Sequence, residues 1–364
     1  MGGRKLTQAK NAVRMALNHL HTDDYFSMVT FSDEIKTPVE PVLIQPSVIN
    51  GIREVLNGIF HTGGTYLSGG LEKGINKSEH NMQDTNLVLL LSDGQANIGE
   101  IDLEKIGMIA KKARKDGLTV STIGIGRGYN EALLVEISNQ GGGRFYHIQD
   151  EAMIPSYVAG ELGEAAYLAA KDTQILLNIP EGATLVPLSI AYPVVQNGNK
   201  AAVSIGDIPC DTELEVTLRL ALLPQKAGSR LSMNGSLEFV SPVGKKHKLN
   251  VNRVTVRFKE KNTFEQREGL IKQVAEKVFV QLKASSLLSV NRTRSHRPDD
   301  TDKEAKRNLD SLRKYANKLG KERSDREMRH ITEDYRNLSD SVFAKNSTQY
   351  AQRVQRGSKD FNKK

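Results

Sequence analysis

One cysteine, Cys210, stands among 364 residues. A lone thiol excludes an internal disulfide framework and any cysteine-built zinc or iron–sulfur site, and the residue reads as a small buried side chain. Equally absent is any apolar run near the roughly 18 residues that cross a bilayer. Met1 to Lys5 lead into an amphipathic segment rather than the apolar stretch of a secretory signal, so the chain as written is expected to stay in the cytoplasm. Catalytic signatures are missing too. There is no G-x-S-x-G elbow, no H-E-x-x-H helix and no P-loop, and the eight histidines are scattered. Gly124, Gly126 and Gly128 fall short of the G-x-G-x-x-G spacing of a dinucleotide loop. No nucleophile or general base stands out, and no enzyme is expected.

What is present is 38% apolar residues, enough for more than one core, and a net charge of +8. That charge is local. From Asn291 onward there are 20 Lys and Arg against 12 Asp and Glu, while the preceding residues hold 31 of each. Acidic side chains are interleaved with the basic ones, as on solvated helix faces; binding of nucleic acid or another anionic partner is the alternative reading of this tail.

Residues 1–170 alternate between helical and extended patterns. Leu6, Ala9, Val13, Ala16, Leu17 and Leu20 keep a 3.6-residue period and predict an opening helix, and Tyr25 to Phe31 reads as a strand. Ile35 to Val42 is a second extended stretch whose prolines place it at a sheet edge. A helix bearing Ile49, Ile52 and Leu56 follows, then the loop Thr62 to Thr65 and a helix through Leu71 and Ile75. Leu87 to Leu91 is apolar throughout, the mark of a parallel strand covered on both faces, and Leu118 to Ile125 reads as another buried strand. The helix of Ile106, Ile109, Ala110 and Ala113 lies between them, and a short helix from Glu131 to Ile137 precedes a last strand, Arg144 to Ile148. This order predicts an α/β fold with a doubly wound, mostly parallel sheet.

From Lys171 the pattern changes to two-residue alternation, as in Leu214, Val216, Leu218 and Leu220 or Val254, Val256 and Phe258, broken at Asn197-Gly198 and Asn234-Gly235. A small antiparallel β-sandwich over 171–261 is expected. Thr263 and Gln266 read as a capping box for a helix with Leu270, Val274, Val278 and Leu282, opening a helical region over 262–345. Its other helices carry Leu309, Leu312, Ala316 and Leu319, then Met328, Ile331, Tyr335 and Leu338. Asn291 to Thr301 reads as a polar linker, and 346–364 as a disordered tail.

In an open α/β sheet, ligands gather beyond the carboxyl ends of the strands. Asp93 stands there, after Leu87 to Leu91, and Thr65 ends the loop His61-Thr62-Gly63-Gly64-Thr65. Both are hard oxygen donors of the kind Mg²⁺ takes. By residue type alone they are also an ordinary turn aspartate and helix-capping threonine. Asp33 and the pair Asp23-Asp24 read as turn carboxylates, Asp33 with some scope to orient the neighbouring loop. His61 and His147 read as packing or surface residues.

Longer runs add to this reading. T-G-G-T-Y-L-S-G-G-L from Thr62, L-L-L-S-D-G-Q-A-N from Leu89, V-S-T-I-G-I-G-R-G-Y-N from Val120 and G-G-G-R-F-Y from Gly141 resemble, in order and spacing, the von Willebrand factor type A (VWA) family. The chain looks similar to the bacterial chloride-channel-like and inter-alpha-trypsin-inhibitor-like types; a channel is not implied, since there is no span to form one. The resemblance puts Thr65 and Asp93 in a metal-ion-dependent adhesion site holding Mg²⁺, or Mn²⁺ or Ca²⁺. It implies a protein ligand offering an Asp or Glu carboxylate, with Ser92, Gly94, Gly64 and Gly126 on the binding rim. The family's first strand ends in Asp-x-Ser-x-Ser, and Met1 stands where the methionine after that motif would be. By this resemblance the chain lacks a central strand and three of five ligands, through a late start or a split gene. The metal should then bind weakly, and the strands of Tyr25 and Leu87 should have unpaired edges. A hydrolase-like enzyme on the same fold would need a nucleophile or base beside Asp93.

Overall fold

A computed structural model describes residues 1–79, 82–83, 85–166, 168–189, 191–210, 212–260 and 268–356. They fall into two units, Met1–Tyr167 and Leu168–Lys364.

The first unit runs α1 (Gly3–Ala16), β1 (Tyr25–Phe31), β2 (Ile35–Leu43), α2 (Pro46–Asn57), α3 (Leu67–Glu79), β3 (Leu87–Ser92), α4 (Leu103–Lys115), β4 (Thr119–Ile125), α5 (Glu131–Gln140), β5 (Gly142–Ile148) and α6 (Ile154–Ala166). Strands β3, β4 and β5 form a parallel sheet in that order, with Leu91 opposite Ile123 and Ile123 opposite Tyr146. On one face α3, α4 and α5 bury Leu67, Leu71, Ile106, Ala110, Leu133 and Ile137. On the other, Ala12 and Ala16 of α1 and Val158 of α6 cover Ile123, Ile125, Tyr146 and Ile148. Six of the seven residues of β4 are buried, because both its faces and both its edges are covered. Asp102 and Asn130 cap α4 and α5 by accepting from Lys105 N and Leu133 N, contacts worth about 1 kcal/mol each. Strands β1 and β2 form a separate antiparallel pair, and β2 is an edge, as its prolines predict. By backbone pairing, β1 and β2 stand apart from the sheet of β3, β4 and β5.

The second unit begins with β6 (Leu168–Asn178), β7 (Thr184–Pro187), β8 (Val194–Asn197), β9 (Lys200–Pro209), β10 (Leu218–Ala221), β11 (Arg230–Val240) and β12 (Lys246–Arg257). Five of these make one antiparallel sheet, β12-β11-β6-β9-β8, and β7 pairs with β10. Sheet and ribbon share one core, formed by Ile179, Leu185, Tyr192, Val203 and Ile205. Leu214 and Val216 pack on this core, but only Leu218–Ala221 is strand. Cys210 is exposed, against the buried position expected of it.

Four helices follow, α7 (Glu268–His296), α8 (Thr301–Ala316), α9 (Lys321–Asn337) and α10 (Ser341–Gln355). The proposed capping box at Thr263 and Gln266 lies outside the described residues. Asn291 to Thr301 is not a linker: α7 continues to His296, and Asn291 is buried where its Nδ2 donates to Thr348 Oγ1 at 2.9 Å. Nor is 346–355 disordered, because Thr348, Ala351, Gln352 and Gln355 of α10 are buried. Polar residues led the sequence reading astray here, being buried against hydrogen-bonding partners rather than solvated. Sheet and helices are one unit, joined where Ser189 and Tyr192 donate to the carbonyls of Gln355 and Arg356 and Ser285 donates to Leu188 O.

Tyr335 touches three separate apolar clusters of these helices. Burial, reinforced by the carboxylates of Glu304 and Asp334, pushes its phenol up to about 12 from an ordinary value of 10.0. Folding thus favours the neutral phenol. The resulting stability is complete below pH 10 and is lost as pH rises from there through 12, on the order of 2–3 kcal/mol in all. Denaturant melts between pH 9 and 12 should show this loss, and Tyr335→Phe should remove it; an unchanged alkaline slope in that variant would assign the loss to other groups.

Candidate metal and partner-binding site

Three loops meet at the carboxyl ends of β3 and β4. Ser92, the last residue of β3, is buried, and Asp93 follows with its side chain 18% exposed. The loop before α3 lies at the same pole. Its Gly64 N–H donates to Asp33 Oδ1 at 2.6 Å, so a carboxylate just beyond β1 holds it in place. A β-carbon at Gly64 would collide with that carboxylate, which is why glycine is needed there. Thr65 N–H donates to Asn97 Oδ1 at 2.8 Å, and Asn97 N–H returns a bond to Thr65 O at 3.3 Å. These straps place the Thr65 hydroxyl 2.8 Å from where a β-carbon of Gly94 would stand, next to Asp93. Thr65 and Asp93, separated by 28 positions in the sequence, thus meet at one pole of the sheet.

The third loop carries Gly126, with φ +74°, and is tied to the Asp93 loop by Gln95 Nε2 donating to Gly128 O at 2.9 Å. Beneath it, Tyr129 is buried and its hydroxyl lies 2.8 Å from His147 Nδ1. Burial, with the nearby Glu131 charge, raises the Tyr129 phenol far above its ordinary range, so it stays neutral. His147 is a packing residue, as the sequence suggested; His61 lies against Gly2.

What faces Asp93 is cationic. Lys5 Nζ donates to Asp93 Oδ2 at 3.3 Å, and the Met1 α-amino group stands 3.1 Å from Oδ1. Lys5 also reaches under Gly126, its Nζ 3.0 Å from where a β-carbon there would lie. Among the described residues, no three His, Cys, Asp or Glu side chains gather as a metal cage would require. One hydroxyl and one ammonium-paired carboxylate do not fit a tightly held Mg²⁺, which demands near-octahedral oxygen donation. Sequence reasoning gave Asp33 only a minor role and missed Asn97 and Lys5, whose partners lie 31, 32 and 88 positions away.

The parallel sheet, with a Gly-Gly-Thr loop and an Asp-Gly turn at its carboxyl pole, has the VWA fold, and residues 1–159 match the family model described as von Willebrand factor type A domain. The chain is 24% identical to YfbK of Escherichia coli (strain K12) over 234 residues, 61% of this chain and 40% of that protein. It is 26% identical to inter-alpha-trypsin inhibitor heavy chain H3 of Mesocricetus auratus over 212 residues, 56% of this chain and 24% of that protein. It therefore spans well under two thirds of these relatives. The structure of a von Willebrand factor type A protein from Catenulispora acidiphila superposes with a TM-score of 0.68 at 15% identity, covering 98% of this chain and 86% of that one. That likeness extends the shared fold beyond the first unit to the antiparallel sheet and the C-terminal helices. The inter-alpha-trypsin-inhibitor side of the sequence resemblance is found; the chloride-channel-like side gains no support. Among the described residues, no helix is long and apolar enough to cross a membrane.

Proposed function

We propose that the first unit is a protein-binding module whose contact surface is the rim formed by Gly64, Thr65, Ser92, Asp93, Gly94 and Gly126. The observation that carries this reading is the convergence of Thr65 and Asp93, held by Asp33 and Asn97 at the place where α/β sheets bind ligands. Rigid straps favour recognition, because a preorganised loop loses little entropy on binding. The partner offers an Asp or Glu carboxylate. A divalent cation, Mg²⁺ or else Mn²⁺ or Ca²⁺, is the family's bridge to such a group; with two side-chain donors it is held here at about millimolar affinity or weaker.

The test is a comparative capture experiment with the full chain. Proteins retained by the wild type but lost from both Thr65→Ala and Asp93→Ala, at unchanged melting temperature, are the expected outcome. Affinity for a partner so found should fall at least about tenfold in each variant. A partner set indifferent to both changes would remove the rim from the binding surface.

A further inference from the structure

The five-stranded sheet of the second unit has two unlike faces. Ile175, Leu177, Ala201, Val203 and Met233 point into its core. Their neighbours along each strand point the other way and fall into rows that cross the sheet. One row is Asn197 of β8, Lys200 of β9, Asn178 of β6 and Asn234 of β11, each opposite the next. Two residues along, Val195, Ala202, Leu176, Ser236 and Asn250 form a second row that reaches β12. The small side chains of Ala202 and Ser236 leave this row low, and a trough of about 740 Å³ opens over it. Ser236 is 5% exposed although it faces away from the core, so the walls shelter the floor.

We propose that this trough binds a neutral, linear oligosaccharide laid across the strands. Asn178, Asn197, Asn234 and Asn250 line it with amides, each both donor and acceptor, which matches the mixed donor and acceptor character of sugar hydroxyls. Asn178 Nδ2 donates to Asn234 Oδ1 at 2.9 Å, so two of these amides are fixed before a ligand arrives. Leu176, Ala202 and Val195, the last 69% exposed, offer apolar contact to the C–H faces of the rings. Strand spacing sets the scale. Neighbouring strands lie about 4.8 Å apart, close to the advance of one pyranose unit, so the amide row meets about three or four sugars. Other occupants fit less well. Among the described residues no aromatic side chain lines the trough, so nucleic-acid bases have nothing to stack on. Strands β6, β9 and β11 are paired on both edges, which leaves no backbone row for an extended peptide. Of the two lining lysines, Lys248 is held by Glu238 at 2.7 Å, so amides rather than charges dominate the walls and the ligand is uncharged.

The test titrates the full chain by calorimetry with cellopentaose, xylopentaose, mannopentaose and chitopentaose, and with pentagalacturonate as the charged comparison. At least one neutral chain should bind. Asn178→Ala and Asn234→Ala, both at exposed positions, should keep the melting temperature and weaken that binding at least about fivefold each, the loss of roughly one hydrogen bond. Lys200→Gln, which keeps a donor and removes the charge, should leave the affinity unchanged, as should Leu249→Ala on the opposite, exposed face of β12. The proposal is overturned by any of four results: no neutral chain bound at millimolar concentration, pentagalacturonate bound alone, affinity indifferent to both asparagine changes, or equal weakening by Lys200→Gln or Leu249→Ala. The rim of the first unit takes no part in these readouts, so its failure as a binding surface would leave them as they stand.

Discussion

Gly124→Ala is expected to lower stability by on the order of 2–6 kcal/mol and to disorder the rim. Gly124 lies in β4, opposite Ser92 of β3 and His147 of β5. A β-carbon there would fall within the Tyr129 ring, which is 2% exposed and cannot move aside. Overpacking of this kind costs about 1–3 kcal/mol, and displacing Tyr129 also breaks its buried bond to His147, another 1–3 or so. Against a typical domain stability of about 5–15 kcal/mol, that is a large share. Gly126 and Gly128 lie between the colliding residues, so the loop tied to Gln95 must shift with Tyr129. Tyr129→Phe, which keeps the ring and loses only the hydroxyl, should cost about 1 kcal/mol. Denaturant melts of the two variants decide the matter: if Gly124→Ala proves as mild as Tyr129→Phe, the ring does not fill the space the structure gives it.

Lys5→Met should raise Mg²⁺ affinity roughly tenfold, from about millimolar to about 0.1 millimolar. The Lys5 ammonium opposes any cation approaching Asp93, and both side chains are largely shielded from water, which strengthens that opposition beyond its value at a surface. Lys5→Arg keeps the charge and should keep the weak binding. Asp93→Ala should abolish Mg²⁺ binding in either background. Calorimetric titration on the four proteins separates the possibilities: equal affinity with and without Lys5 would show that its charge does not oppose metal, and binding that survives Asp93→Ala would move the site elsewhere.

Much of this architecture is legible from local pattern. The apolar run at Leu87 and the segment Leu118 to Ile125 read as strands covered on both sides, and the periodic stripe between them as a helix that covers them, so a parallel sheet and its carboxyl pole follow. Asp93 and Thr65 could be placed at that pole for the same reason: a strand's end and the loop before a helix are set by the local sequence. The tail was harder to read. Asn291, Thr348, Gln352 and Gln355 look like surface residues, yet they are buried, because α7 and α10 supply partners that no local window contains.

By itself the sequence determined the alternation of elements, the chemistry of Thr65 and Asp93, and the apolar character of β1 and β3. These depend on backbone period and residue type, which short stretches carry in full. Only the tertiary structure decided that Asp33 and Asn97 strap the threonine loop and that Lys5 confronts Asp93. Each of these is a meeting of groups far apart in the chain, fixed by how helices pack across a twisted sheet, and no periodicity in the sequence encodes which distant side chain will arrive.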